Sequence, residues 1–325
     1  MSGPAEVFVE APARLHFGVL DLRGALGRRF GGLGAAVPAP SLLLEARPAR
    51  EVVARGPDGA RAEEFARRVL RPHRMGGGAE LAIHRAIPAH SGLGSGTQLG
   101  LSVARALAEI YGLPAGAAEL ARAVGRGRRS AIGTWTFAQG GFIVEGGRRA
   151  GSEAVAPLLA RFELPERWRC VVAVPPGRPG LSGEAEAAAF ERLPPPPERE
   201  VEQVSHLVLM QLLPALVEGD LAGFGGALSA VQRITGTWFA PSQGGTFAPG
   251  PGGELVSRML AWGVPGVGQS SWGPAVYGIV EGREAGAELA GRVRELLAGR
   301  GLVFEGGFAA TGVRLTRGTP PPFPD

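Results

Sequence analysis

Residues 87–107 read IPAHSGLGSGTQLGLSVARAL, and the two halves of this stretch obey different physics. Residues 88–96 form a loop of Gly, Ser and His with almost no bulk. From residue 97 onward the apolar residues recur at helical spacing, with Leu99, Val103 and Leu107 on one stripe and Leu101 beside it. Residues 80–87, which lead into the loop, have the character of a strand. Strand, glycine-serine loop and helix in that order gather free backbone N–H groups and the positive end of a helix dipole at one point. Glycine lets such a backbone curl closely around an anion. The stretch is read as a phosphate cradle, against the plainer alternative of a glycine-rich turn before a helix. It is not a Walker loop, because the lysine of that motif is missing. Gly92, Gly94, Gly96 and Gly100 do not make the G-x-G-x-x-G of dinucleotide binders either.

Composition narrows the chemistry. The 325 residues allow one large or two ordinary domains, and 45% hydrophobic content suits a packed core. Cys170 stands alone, in the apolar run Trp168–Val174, and is expected to be a buried small side chain. One cysteine excludes an internal disulfide and a cysteine-built zinc or iron–sulfur centre within one chain. No lysine occurs, so all 34 basic residues are arginine. Schiff-base chemistry, pyridoxal phosphate included, is thereby excluded, and no flavin is expected. Phosphate recognition by side chains falls to arginine, whose fork suits bidentate contacts. The net charge of +4 comes from scattered arginines without aromatic interleaving, so nucleic acid is not an expected partner. Residues 1–14 show no secretory signal and no run is long enough to span a bilayer. The expectation is a soluble, cytoplasmic protein.

Along the chain, residues 7–9 and 14–20 read as antiparallel strand partners. Residues 26–34 follow as a glycine-dense loop carrying Arg28 and Arg29, read as an anion site. Asp21 opens a turn; it either makes ordinary turn contacts or holds metal water or a ribose hydroxyl. Strands are expected at 41–46, 52–54, 142–144, 168–174, 275–280, 302–304 and 312–316, the last two finishing one sheet. Helices are expected at 62–70, 114–124, 184–192, 200–217, 220–233, 254–262 and 285–297. Arg126, Arg128 and Arg129 form a second arginine cluster. The polar, weakly patterned residues 148–166 mark a boundary, giving domains at 1–155 and 165–318 with a tail at 319–325.

Residues 88–96, PAHSGLGSG, resemble the P-x-x-x-G-L-G-S-S phosphate loop of the GHMP kinase superfamily, with Gly96 where that group usually has Ser. The resemblance implies an α+β, GHMP-kinase-like two-domain fold, an N-terminal ribosomal-S5-like domain and a C-terminal ferredoxin-like one. Many of these kinases place an aspartate base a few residues before the Gly-Gly that opens a strand. Here that position falls near Gly133, and no Asp or Glu lies between Arg126 and Gln139.

Further motifs narrow the resemblance. RLHFG (14–18), LGRRFGG (26–32), QGGF (139–142), GLSG (180–183), QGG (243–245) and GQSSWGP (268–274) together resemble β-ribofuranosylaminobenzene 5'-phosphate synthase, from about Arg14 to Gly278. That family joins 4-aminobenzoate to phosphoribosyl diphosphate as a C-riboside, releasing carbon dioxide and diphosphate, on the way to methanopterin-type one-carbon cofactors. Such chemistry needs no protein nucleophile; it needs alignment, stabilisation of the leaving diphosphate and exclusion of water. The resemblance implies Arg28, Arg29 and Gln269 as catalytic residues. It implies Arg14, His16, His90, Ser91, Gly92, Gly94, Ser95, Gly96, Gln98, Arg129, Gln139, Gln243, Ser270, Ser271 and Trp272 as substrate-binding, His90 having a better case than His16. Mg²⁺ is expected with the diphosphate, its ligands unassigned, and a homodimer is implied. Two alternatives stand: an ATP-dependent kinase on the same fold, and a non-catalytic ligand-binding protein. The acceptor itself, 4-aminobenzoate or a relative such as 4-hydroxybenzoate, is left open.

Overall fold

Two long strands organise the computed structural model, which describes residues 6–73, 76–181 and 183–318. β1 (Val7–Asp21) and β2 (Arg28–Ala49) pair antiparallel from Val7 opposite Ala46 to Asp21 opposite Phe30. The sequence suggested a short hairpin, residues 7–9 against 14–20, followed by a loop at 26–34. Both segments of that hairpin belong to β1 instead, and the glycine-dense stretch lies largely in β2. The prolines explain the difference. A register shift between Pro12 and Ala13 spans the place where β2 carries Pro38 and Pro40, so the missing N–H groups fall at an irregularity rather than ending the strands. Gly34 is required by close approach, since a Cβ there would lie 2.4 Å from the Leu15 carbonyl oxygen.

β3 (Val53–Arg55), α1 (Gly59–Leu70) and β4 (Gly78–Arg85) follow, and β4 feeds the loop and α2 (Ser95–Tyr111) in the expected order. Leu99, Val103 and Leu107 are buried beneath the sheet, each 1% exposed or less. Next come α3 (Ala117–Ala123), α4 (Ile132–Gln139), β5 (Phe142–Glu145), β6 (Arg148–Arg149) and β7 (Leu158–Phe162). β7 pairs with β5 from inside the stretch read as a polar boundary.

β8 (Trp168–Val174) opens a second sheet. It is followed by α5 (Gly183–Arg192), α6 (Glu198–Leu207), a π-helical turn at Val208–Leu212, α7 (Leu213–Glu218) and α8 (Leu221–Gln243). α9 (Pro251–Ala261), β9 (Gly266–Gln269), β10 (Val276–Glu281), α10 (Arg283–Leu297), β11 (Leu302–Gly306) and β12 (Arg314–Arg317) complete the described chain. The sheets run β12-β1-β2-β4-β3, with β5, β6 and β7 attached through β2, and β11-β8-β10-β9. The two strands expected to finish one sheet therefore part. β11 stays with β8, while β12 returns to β1, where Arg314 Nε donates to Glu10 Oε2 at 3.1 Å. An aromatic seam joins the sheets: Phe17 stacks on Phe142 and meets Tyr277 at a tilt, and Phe224 packs on Phe142 and Trp168. Cys170 is buried in β8, as expected, and burial raises its thiol pKa.

α8 continues well past Arg233, where its sequence pattern weakens into Thr, Trp and Pro241. Thr235 and Thr237 return their hydroxyls to the carbonyls of Val231 and Ile234, which satisfies those hydroxyls within the helix. The extension matters because it carries Thr235, Phe239 and Gln243 to the cleft between the sheets.

Candidate active site

The glycine loop before α2 takes its shape from its own backbone and from its neighbours. Gly92 and Gly94 adopt φ of 83° and 82°, and the Gly94 carbonyl accepts the first helical N–H groups, from Thr97 and Gln98. Ser270 Oγ donates to the Gly92 carbonyl at 2.7 Å and accepts from the His16 N–H at 3.0 Å. The Arg14 guanidinium donates to the same Gly92 carbonyl, and Ala275 N–H donates to the Ser91 carbonyl at 2.9 Å. The GQSSWGP block and β1 thus clamp the loop from one side. Gly180 completes the contact: its N–H donates to the His90 carbonyl at 2.9 Å, and a Cβ on it would meet the Gly273 carbonyl at 2.1 Å. Ser182, in the same motif, and residues 319–325 lie outside the described residues.

In front of the loop lies a cleft of about 560 Å³. One half is cationic. Arg14, Arg68, Arg126, Arg128 and Arg129 line it around Thr97, in the first turn of α2. Arg126 is half-buried, and its Nε has no partner among the described residues. Burial first, then the nearby Arg61 and Arg68, lower its pKa. Burial lowers Arg14 to about 10, partly offset by the charge of Glu186. Crowded guanidinium groups at a helix N-terminus suit an anion of high charge. Gly96 makes the crowding possible, because a Cβ there would stand 2.3 Å from Arg61 Nη2 and 3.0 Å from Arg126 Nη2. A serine at this position would intrude on that space.

The other half is aromatic. Phe190 meets Phe30, Phe239 and Trp272 edge-on, with ring centroids 5.5, 5.8 and 5.5 Å apart, and Phe239 meets Trp272 at 4.8 Å. Such a box suits a flat apolar ring. At the junction stands Glu186: one oxygen accepts from Arg129 Nη2 at 2.5 Å, the other from Trp272 Nε1 at 3.2 Å. His16 also lines the cleft. Burial, then Arg14, lowers its pKa to about 3, so it serves there as a neutral ring.

Several residues singled out in the sequence meet in this cleft: Arg14, His16, Arg129, Gln243, Gln269, Ser271 and Trp272. Ser91, Gly92, Gly94, Ser95, Gly96 and Ser270 build the loop behind it. Others stand elsewhere. Arg28 and Arg29 do not line the cleft: Arg28 Nη1 donates to the Gly146 and Gly147 carbonyls at 3.1 and 3.0 Å, and Arg29 Nε to the Leu22 carbonyl at 2.9 Å. A strand edge therefore holds the pair expected to act on the leaving group. Gln269 is near the expected place, but its amide is engaged by Ala248 N–H, the Ser271 carbonyl and Gln243 Oε1, which makes it a brace. His90 is exposed and outside the cleft lining, reversing the order expected of the two histidines. Gln98 is buried against the Gly133 carbonyl at 3.0 Å, and Gln139 lies outside the cleft with its carbonyl accepting from Arg161. Asp21 makes turn contacts with the N–H groups of Arg23 and Gly24. Sequence reasoning missed Arg61, Arg68, Glu186 and Phe190. Glu186 and Phe190 share a helical face of α5, yet only the fold turns that face inward.

A strand, this loop and a helix within one sheet, with a second α/β layer closing over them, define the GHMP-kinase fold. Residues 60–139 match the GHMP kinases N terminal domain. The crystal structure of homoserine kinase from Cytophaga hutchinsonii aligns with a TM-score of 0.65 at 16% identity, over 96% of this chain and 98% of that one. At such identity the likeness is one of fold. The sequence relatives are narrower. The chain is 36% identical over 323 residues to beta-ribofuranosylphenol 5'-phosphate synthase of Methanothermobacter thermautotrophicus, covering 93% of this chain and 96% of the relative. It is 34% identical over 305 residues to the protein of that name from Archaeoglobus fulgidus, covering 90% and 93%. The chain belongs to the beta-ribofuranosylphenol 5'-phosphate synthase family.

Proposed function

We propose that the protein is a decarboxylating phosphoribosyltransferase that joins phosphoribosyl diphosphate to a 4-substituted benzoate. The observation that carries the reading is the division of one cleft into an arginine half at a helix N-terminus and an aromatic half. The diphosphate belongs in the first half and the benzoate ring in the second. The C1–O bond of the ribosyl group breaks, with its electron pair leaving on diphosphate. The ring carbon bearing the carboxylate attacks C1, and loss of carbon dioxide returns the electrons of the breaking C–C bond to the ring. Arg14, Arg126 and Arg129 would take up the leaving charge, and the aromatic box would exclude water. The expectation from sequence was 4-aminobenzoate and an aminobenzene product. The relatives' name carries a phenol, which favours 4-hydroxybenzoate; either para group donates electrons to the ring. The product would serve methanopterin-type cofactor synthesis.

Among the described residues no group of three or more His, Cys, Asp or Glu side chains is placed to hold a metal. The donor set therefore suits Mg²⁺ that arrives on the diphosphate oxygens rather than one held in a protein cage. A homodimer belongs to the same proposal and is read by sedimentation. The deciding experiment incubates the chain with Mg²⁺, phosphoribosyl diphosphate and carboxyl-labelled 4-hydroxybenzoate or 4-aminobenzoate. Equal amounts of diphosphate and labelled carbon dioxide are expected, dependent on both substrates. Release from the acid alone, or a product retaining the label, overturns the mechanism. Consumption of ATP would favour the kinase reading, against which Gly133 speaks: a Cβ there would be 3.0 Å from Thr97 Cγ2, and the sequence has no Asp or Glu between Arg126 and Gln139.

A further inference from the structure

Glu186 is placed unlike any other acid in the cleft. Of the described residues lining it, Glu184 and Glu186 carry carboxylates, and Glu184 is exposed. Glu186 is half-buried, and its two oxygens bond to one group from each half: Arg129 on the cationic side and Trp272 on the aromatic side. Phe190, on the same helix, lies beneath the Arg129 guanidinium at 5.8 Å and against the Trp272 ring. The carboxylate therefore marks the seam between the two halves.

We propose that Glu186 is a catalytic residue, the fixed negative charge that stabilises the ribosyl cation as diphosphate departs. The inference rests on the phosphoribosyl-transfer reading above. With diphosphate among the arginines and the aryl ring in the aromatic box, the carbon that exchanges one for the other must lie at the seam. That carbon gains positive charge as the C1–O bond stretches. A carboxylate aimed there lowers the barrier, and a low-dielectric cleft enlarges the effect. Diphosphate arriving among the arginines competes with Glu186 for Arg129, which frees an oxygen to face C1. The charge acts without a covalent bond. The donor carries diphosphate in the α configuration and the product named for the relatives is β, so the centre inverts once. A glycosyl–carboxylate intermediate would invert it twice.

The test compares Glu186→Gln and Glu186→Asp with wild type, in the full chain. Removing the charge should leave inorganic diphosphate binding, measured by calorimetry, within about threefold of wild type or tighter, because Arg129 loses a competitor. Turnover should fall on the order of a hundredfold or more. Glu186→Asp, which keeps the charge on a shorter stem, should recover part of it. A merely structural α5 contact would behave differently, with diphosphate affinity and turnover falling together in both variants; that result overturns the inference. So does a Gln variant within about threefold of wild-type turnover. If wild type releases neither diphosphate nor carbon dioxide, the transfer reading fails and takes this inference with it. An active wild type with a near-normal Gln variant removes the inference alone.

Discussion

Ser270 Oγ donates to the carbonyl of Gly92, a residue 178 positions earlier, and the same hydroxyl accepts from the His16 N–H. One small side chain thus ties the second sheet's loop to the glycine loop before α2 and to β1. It is fully buried. Ser270→Ala would leave the His16 N–H without its hydroxyl acceptor and the Gly92 carbonyl with the Arg14 guanidinium alone, a loss of about 1–3 kcal/mol for the unsatisfied donor. The variant should melt earlier and bind diphosphate more weakly, since Gly92 would be held by Arg14 alone. A variant with wild-type melting temperature and affinity would mean that the loop keeps its shape without the clamp.

Gly96 offers a sharper probe of the arginine half. Gly96→Ser restores the residue common in the kinases but pushes on the ends of Arg61 and Arg126. Both are flexible tips, so folding should survive. Diphosphate affinity should fall about tenfold, the equivalent of roughly 1.4 kcal/mol of charge-assisted contact. Gly94→Val is harsher, because its Cβ would meet Arg14 Cγ at 2.9 Å and its φ of 82° opposes a β-branched residue. Calorimetry with diphosphate separates the two. Unchanged binding in Gly96→Ser would remove Arg61 and Arg126 from the anion site.

Arg28 illustrates an indirect route to the cleft. It holds the Gly146 and Gly147 carbonyls, the Gly147 N–H donates to Glu145 Oε2 at 2.7 Å, and Glu145 Oε1 accepts from Ala131 at 3.4 Å. Ala131 ends the segment that carries Arg126, Arg128 and Arg129. Arg28→Ala should therefore lower stability by about 1–3 kcal/mol and weaken diphosphate binding at the same time. Thermal melts beside steady-state kinetics check this. A variant that melts normally yet loses turnover a hundredfold would place the guanidinium on the substrate instead.

What the sequence made legible follows from the range of each signal. The glycine loop and α2 were readable because glycine spacing and a 3.6-residue stripe are local. The continuous β1 and β2 were not, since Pro12, Pro38 and Pro40 look like breaks until their irregularities are seen opposite one another. In the site, Arg14 and Trp272 stood inside motifs. Arg61 and Arg68 on α1 and Glu186 on α5 look like ordinary charges on solvated helices, and only tertiary packing gathers them around the start of α2 and its cleft. Gln243 and Gln269 were both singled out, but nothing in their spacing told that they bond to each other, at 3.2 Å.

Two buried groups, Glu145 and His16, have opposite linkage to folding. Glu145 is fully buried, and burial raises its carboxyl from 4.5 to about 7, only partly opposed by the N–H groups of Gly147 and Ala131. The folded chain therefore holds a proton that the unfolded chain has lost. Stability present below pH 4.5 declines as pH rises through about 7. His16 runs the other way: burial and Arg14 lower it from 6.5 to about 3, so the unfolded chain binds a proton that the folded chain refuses. Its contribution is present above pH 6.5 and declines as pH falls toward 3. Between about pH 4.5 and 6.5 the two slopes, each about 1.4 kcal/mol per pH unit at full strength, cancel. Each variant should unmask the other group. Glu145→Gln should lose stability, relative to wild type, as pH is lowered from 7 to 5. His16→Gln should lose it as pH is raised from 5 to 7. Denaturant melts across that range measure both, and parallel profiles for the two variants would show that neither group is buried as described.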